Sequence, residues 1–328
     1  MKFCLSLLLC TLLLGCAATP PAPAPPGDAV FRDALFVPPT AKPDAAALFA
    51  LTPAMKRYLA EQIEPQVRRK GAQMALLDAL YTQGELRLEY DAQRTRTAAE
   101  AFDARMGNCL SLVIMTAAFA QEMNLQVRFQ DVLGAPAVEQ SGDFTFVVGH
   151  ANLALSRGLA GVRQSVGESD WVIIDFVPGE DLRRQRTRPI DQRRVTAMYM
   201  NNRAAEELAQ GRVDQAYWWL RGAFEQDPRF PSLYNTLGVV YRNRGALAEA
   251  EQALQVARTM DPDNEHVRSN LAGVHHALAL VSAQQGDAGS TRWHLERAAE
   301  LSAGGARQLI YTAKLERLKA ELARHSLQ

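Results

Sequence analysis

Between residues 211 and 262 the chain repeats itself at a spacing of 34. Gly211, Ala216, Leu220, Ala223 and Pro228 are matched by Gly245, Ala250, Leu254, Ala257 and Pro262. A period of this length calls for a unit of two short helices. Such a unit cannot bury its apolar side alone, so its copies must stack. Alanine and glycine let the two helices of a unit approach closely, and Asp-Pro opens the next pair. A third stretch, "SNLAGVHHALALVSAQQGDAGSTRWHLERAAEL", carries its glycine at 286 instead of 279. The excess amounts to about two helical turns, which keeps the apolar face and predicts a longer first helix.

The middle copy, "SLYNTLGVVYRNRGALAEAEQALQVARTMDP", resembles the tetratricopeptide repeat family. Tyr234, Leu237, Gly238, Tyr241, Ala250, Leu254, Ala257 and Pro262 fall at that family's pattern positions. The resemblance implies an all-α tetratricopeptide-repeat solenoid over 191–328. "ARQLIYTAKLERLKAELARH" would be its charged terminal capping helix. It also implies a protein or peptide partner, bound in a concave groove. Trp218 and Trp219 are candidates either for anchoring that partner or for packing between helices.

The other end of the chain bears on location. Met1-Lys2 is a short basic start, and Phe3 to Leu14 is nearly all apolar but too short to span a bilayer. Leu13-Leu14-Gly15-Cys16 resembles a bacterial lipobox. The resemblance implies that residues 1–15 are removed as a signal peptide and that Cys16 is the lipidation site. Ala17 in place of an aspartate implies sorting to the outer membrane. "AATPPAPAPPGDA" reads as an extended spacer, so 16–50 is expected to be a lipidated cysteine with a Pro/Ala-rich tether. The expected location is the periplasmic face of a bacterial outer membrane, held by lipid. Lys+Arg and Asp+Glu are both 36, so no basic surplus points to nucleic acid.

Cysteine arithmetic then isolates one residue. The cysteines are Cys4, Cys10, Cys16 and Cys109. With the first two lost in the signal and the third lipidated, Cys109 has no intramolecular disulfide partner. In an oxidising compartment it is either an inert buried thiol or a reactive one. "TAAE" at 97–100 is a capping box predicting a helix to about Arg105, and Gly107 is expected to break it. Asn108 can cap the next helix, with Cys109 in its first turn, where unpaired N–H groups and the dipole favour a thiolate. Leu112, Met115, Ala118, Phe119 and Met123 then recur at helical spacing. "LQVRFQDV" reads as a strand.

"GNCLSLVIMTAAFAQEMNLQVRF" resembles the core motif of the transglutaminase-like superfamily. Gly107, Cys109, the apolar helix, Asn124-Leu125 and Arg128 stand at the motif's positions. The family has a papain-like fold with Cys on a helix, His on a strand and Asp on the following strand. "FTFVVGHANLAL" supplies His150 and "DWVIIDFVPG" supplies Asp175, in that order, and "WVIIDF" matches the family's tryptophan-led strand closing on aspartate. The resemblance therefore implies an α+β papain-like, transglutaminase-like domain over 51–190 with a catalytic set Cys109, His150 and Asp175. Residues 54–83 read as helices entering this domain, and "ELRLEYD" as an extended stretch beside the site.

These residue types suit acyl transfer. An imidazole within hydrogen-bond reach takes the thiol proton, and a carboxylate holds the ring in one tautomer. Attack on an amide gives a thioester, which water or an amine then resolves. The Cys109 backbone N–H is a candidate oxyanion donor. Asn108 and Asn152 are candidate substrate-binding or oxyanion residues, with helix capping and a polar strand edge as their alternatives. Cys109 could equally be core, His150 a satisfied strand histidine and Asp175 a strand terminator, which would leave a non-catalytic scaffold assembled through its repeats. His266, His275, His276, His294 and His325 show no paired ligand logic. No metal and no cofactor is expected.

Overall fold

The computed structural model describes residues 27–82, 89–91, 94–141, 144–159, 171–176 and 186–302, with residues 313, 316, 317, 319, 320, 323 and 324. The expected signal peptide, Cys16 and the first part of the tether lie outside these residues. So does most of the expected terminal helix.

The tether expected over 16–50 gives way to packed chain by residue 28. Three 3-10 turns, Asp28–Val30, Asp33–Leu35 and Ala46–Phe49, carry Val30, Phe31, Phe36 and Leu48 into the core. The reason is apolar surface. Two phenylalanines and a valine, once placed against other aromatics, outweigh the extended preference of the surrounding prolines.

The helices that follow are α1 (Pro53–Tyr58), α2 (Glu64–Lys70) and α3 (Ala72–Leu77), with π-helical turns at Leu59–Ile63 and Asp78–Thr82. Thr52 caps α1 by accepting the Met55 N–H, and Pro53 sits where no N–H is needed. Gly71, with φ of 81°, makes the break between α2 and α3.

Strand β1 (Glu89–Tyr90) pairs in parallel with β2 (Met106–Gly107), just before Cys109. Between them α4 (Ala98–Ala104) begins with both bonds of the Thr97–Glu100 capping box. Its end differs from expectation. The chain turns at Arg105, in a left-handed conformation with φ of 55°, two residues before Gly107. Helix α5 (Cys109–Glu122) is buried on every side from Cys109 to Ala120, a central helix and not an amphipathic one.

Four strands complete the N-terminal half: β3 (Leu125–Ser141), β4 (Phe144–Leu159), β5 (Trp171–Ile174) and β6 (Arg186–Ile190). They form an antiparallel sheet in the order β5-β4-β3-β6. The register sets His150 opposite Val132, Asn152 opposite Gln130 and Leu153 opposite Ile174. Strand β6 has no counterpart in the sequence reading. Its "RTRPI" is basic and nearly all exposed, and its proline is tolerated because β6 is an edge strand.

Six helices follow: α6 (Gln192–Ala209), α7 (Val213–Gln226), α8 (Pro231–Arg244), α9 (Leu247–Met260), α10 (Glu265–Gln284) and α11 (Ala288–Ser302). They pack as hairpins, α6 on α7, α8 on α9 and α10 on α11. The recurring glycines are the turns. Gly211, Gly245 and Gly286 have φ between 74° and 81°, where a side chain is strained. The small-residue positions are contacts: a Cβ on Gly238 would lie 2.4 Å from Leu254 Cγ, so α8 and α9 close only over glycine. Helix α10 has 20 residues against 14 for α8, the lengthening that the late glycine predicts.

The halves are not separated. One apolar cluster runs from Val30 to Leu301, and the first helix of each hairpin, α6, α8 and α10, lies against β4. The helical hairpins therefore clasp the strand that carries His150. Among the described residues no helix is long and apolar enough to cross a membrane.

Candidate functional site

Cys109 stands at the first position of α5, 6% exposed, and is the free cysteine among the described residues. Its position is set by Asn108. The Asn108 backbone is extended (φ −75°, ψ 175°), and its Oδ1 accepts the Ser111 N–H at 2.9 Å and the Ser111 hydroxyl at 2.8 Å. Its Nδ2 donates to Thr95 Oγ1 at 2.8 Å. Of the two readings of Asn108, helix cap and substrate or oxyanion residue, the contacts are those of the cap, with both ends of its amide used inside the protein. Gly107 has a related role. A Cβ there would lie 2.7 Å from Ser111 Cβ, so only glycine lets β2 run into this capped turn.

His150 lies on β4, 4% exposed. Its Nε2 is 3.0 Å from both carboxylate oxygens of Asp175, and the Cys109 side chain is close enough to the ring to bear on its titration. With Nε2 taken by the carboxylate, Nδ1 is the ring nitrogen left for the sulfur. Burial by itself lowers the imidazole pKa. The hydrogen bonds to Asp175 and Cys109, and the negative charges of both, outweigh it and push His150 up to about 10.

Asp175 follows directly on β5, and its side chain is only 1% exposed. Asn152 donates from Nδ2 to Asp175 Oδ2 at 3.2 Å. It lies on the same sheet face as His150, two residues along the strand. Its Oδ1 is buried and has no protein hydrogen-bond partner. Asn152 is thus a positioning residue for the carboxylate. Arg128 and Trp171, the outlying members of the sequence motif, meet each other: the guanidinium sits 4.2 Å over the indole ring. That contact ties β3 to β5 at the start of the strand that delivers Asp175.

Three contributors escape sequence reasoning. Thr95 accepts from Asn108, and Glu206 of α6 accepts the Thr95 backbone N–H at 2.6 Å. Burial pushes the Glu206 carboxyl up, against the opposing effect of the Thr95 hydrogen bond and Arg203. Tyr81 hydrogen-bonds Thr116 on α5 and packs on Phe176 beside Asp175, with ring centroids 5.1 Å apart. Two residues expected as possible partner anchors have internal places. Trp218 donates to the Val37 carbonyl at 2.7 Å, and Trp219 packs edge-on against Tyr199.

Two histidines of the hairpins lie together. His275 Nδ1 lies 3.1 Å from His294 Nδ1, and burial pushes His275 down to about 4. Among the described residues, no group of three or more His, Cys, Asp or Glu side chains is placed to hold a metal ion.

Residues 207–273 match the tetratricopeptide repeat family. That stretch runs from the end of α6 into α10. Repeats of this kind generally mediate protein–protein interaction, which supports a protein partner for this chain. No curated relative matches the sequence.

Proposed function

We propose that this chain is a cysteine-dependent amide hydrolase or acyltransferase of the transglutaminase-like kind, acting on protein or peptide substrates. The observation that carries the reading is one imidazole shared by two partners. His150 Nε2 sits 3.0 Å from Asp175 while Cys109 lies close enough to the same ring to raise its pKa, all three side chains being buried. With its pKa raised to about 10, the imidazole already holds the proton at neutral pH, and the Cys109 sulfur attacks the amide carbonyl. The resulting oxyanion is met by the backbone N–H of Cys109, at the start of α5. The imidazolium then protonates the leaving amine. A thioester remains, and water or a second amine attacks it. Asp175 holds the ring and offsets its charge throughout.

The location belongs to the same proposal. Cys16 carries lipid at the periplasmic face of the outer membrane, and the repeats hold a protein partner or substrate near β4.

The test is alkylation of Cys109 by iodoacetamide across pH, read by mass spectrometry on the peptide that contains it. Fast labelling near neutral pH, slowed at least tenfold in His150→Ala, supports the pair. Slow labelling that ignores His150 would make Cys109 a structural thiol and the chain a non-catalytic scaffold working through its repeats.

A further inference from the structure

A cavity of about 530 Å³ lies where the helical hairpins meet the sheet. One wall is sheet: Val132, Leu133 and His150. The other is made of the two turns that lead into α8 and α10, namely Phe230–Ser232 and Met260–His266. Its volume suits a side chain with a stretch of peptide. His150 lines this cavity, so a substrate seated in it meets the ring that the proposed activity pairs with Cys109.

The charges on its walls do not balance. Four carboxylates line it, Asp131, Asp261, Asp263 and Glu265, against two guanidiniums, Arg188 and Arg194. Both arginines already face carboxylates: Arg188 lies 2.7 Å from Asp131, and Arg194 bonds Asp227, which is not part of the wall. Among the described residues Asp261 takes only the neutral Asn264 amide, at 2.9 Å, and Glu265 is 3.7 Å from Arg268 on its own helix. Negative charge is therefore in excess on the hairpin side. The surfaces between are apolar, from Met198, Phe230, Pro231 and Met260. An apolar surface flanked by carboxylates fits a lysine or arginine side chain, whose methylene stem packs while its head meets the acids.

We infer that the hairpin turns form the specificity wall of the catalytic cleft and select a substrate peptide bearing a lysine or arginine side chain. The inference rests on the proposed activity but is tested apart from it. Three methanethiosulfonate reagents that differ in charge are reacted with Cys109 in the full chain, again read on its own peptide. Relative to the same ratio for a free small thiol, the trimethylammonium-ethyl reagent is expected to react roughly tenfold faster than the sulfonato-ethyl reagent at low salt. That ratio falls towards one in 1 M NaCl. It also falls in Asp261→Asn/Asp263→Asn/Glu265→Gln, each rate being read against that of the neutral methyl reagent in the same protein. Asp263→Asn alone, on an exposed turn residue, gives a partial fall and guards against a folding defect in the triple variant.

A ratio near or below one in the unmodified chain overturns the inference, as does a ratio that the variants leave unchanged. The neutral reagent's response to His150→Ala reads the catalytic proposal separately. As a measurement independent of the thiol, a rhodamine-labelled Gly-Lys-Gly peptide should bind more tightly than its Gly-Glu-Gly counterpart, and the triple variant should lose that preference. Equal binding of the two by the unmodified chain overturns the inference as well.

Discussion

Glu206, on α6, accepts the backbone N–H of Thr95 at 2.6 Å, 111 residues earlier in the chain. Thr95 in turn accepts from Asn108, and Asn108 caps the helix that begins with Cys109. The hairpins thus reach the nucleophile through three consecutive hydrogen bonds. Arg203 steadies Glu206 at 2.7 Å.

Removing that carboxylate leaves the Thr95 N–H buried without an acceptor. Glu206→Ala should lower stability by ~1–3 kcal/mol in urea unfolding. It should also slow Cys109 alkylation several-fold. Glu206→Gln keeps an acceptor oxygen at the same reach and should restore most of both. If both variants alkylate like the unmodified chain, the relay does not set the position of the sulfur.

The His150–Asp175 pair has a pH signature. Its pKa rises on folding from 6.5 to about 10. A group whose folded pKa is raised binds its proton more tightly when folded. The stabilisation is therefore fully present below about 6.5 and is lost as pH climbs towards about 10. Thermal unfolding followed across that window should show a decline attributable to His150, smaller in Asp175→Asn and in Cys109→Ala, which each remove one cause of the shift. At neutral pH, Asp175→Ala leaves a buried imidazolium without its carboxylate and should cost ~3–5 kcal/mol. A decline identical in all three proteins would place the titration elsewhere.

Gly107 offers a local test of the nucleophile's geometry. A methyl group there meets Ser111 Cβ at 2.7 Å, a distance at which something must shift, and Ser111 belongs to the turn that Asn108 caps. Gly107→Ala should therefore disturb the start of α5 more than its core. We expect at least a tenfold fall in Cys109 reactivity with a stability loss of only ~1–3 kcal/mol, measured by alkylation and urea unfolding on one sample. Unaltered reactivity would mean that the turn absorbs the methyl group.

What could be read in the sequence was what nearby residues decide. The hairpins were legible because each turn carries its own glycine at positive φ, and each helix pair its own close contact, such as Gly238 on Leu254. The start of α5 was legible because Asn108 bonds three residues ahead. The end of α4 was not, because Arg105 adopts a left-handed turn that its residue type does not announce. Strand β6 was hidden by its arginines and proline, which deny it any alternation. The order Cys, His, Asp was visible, but that His150 meets Asp175 depends on the register of β4 with β5. Glu206 and Thr95 carry no mark of each other at all.

The N-terminal segment shows the same limit and supplies the last prediction. Its Pro/Ala composition suggests a tether, yet Phe36 stacks on Tyr217 with centroids 3.8 Å apart and planes within 8°. Tyr217, held by Asp33 at 2.6 Å, lies 184 positions further along, where no local pattern can point to it. The Tyr241 hydroxyl donates to the Val30 carbonyl at 2.8 Å, and Arg221 bonds Asp28. Residues 28–37 thus lie on the hairpins much as a bound peptide would, and cover α7 and part of α8. Phe36→Ala removes the ring that is 5% exposed among these contacts. It should lower stability by ~3–5 kcal/mol if the segment unfolds with the rest of the core. Limited proteolysis discriminates the manner of the loss. Rapid cleavage between residues 28 and 50, with the hairpins intact, would show a strap released from its site. Uniform digestion would show that the strap and the hairpins form one cooperative unit, which is the outcome expected from the single apolar cluster they share.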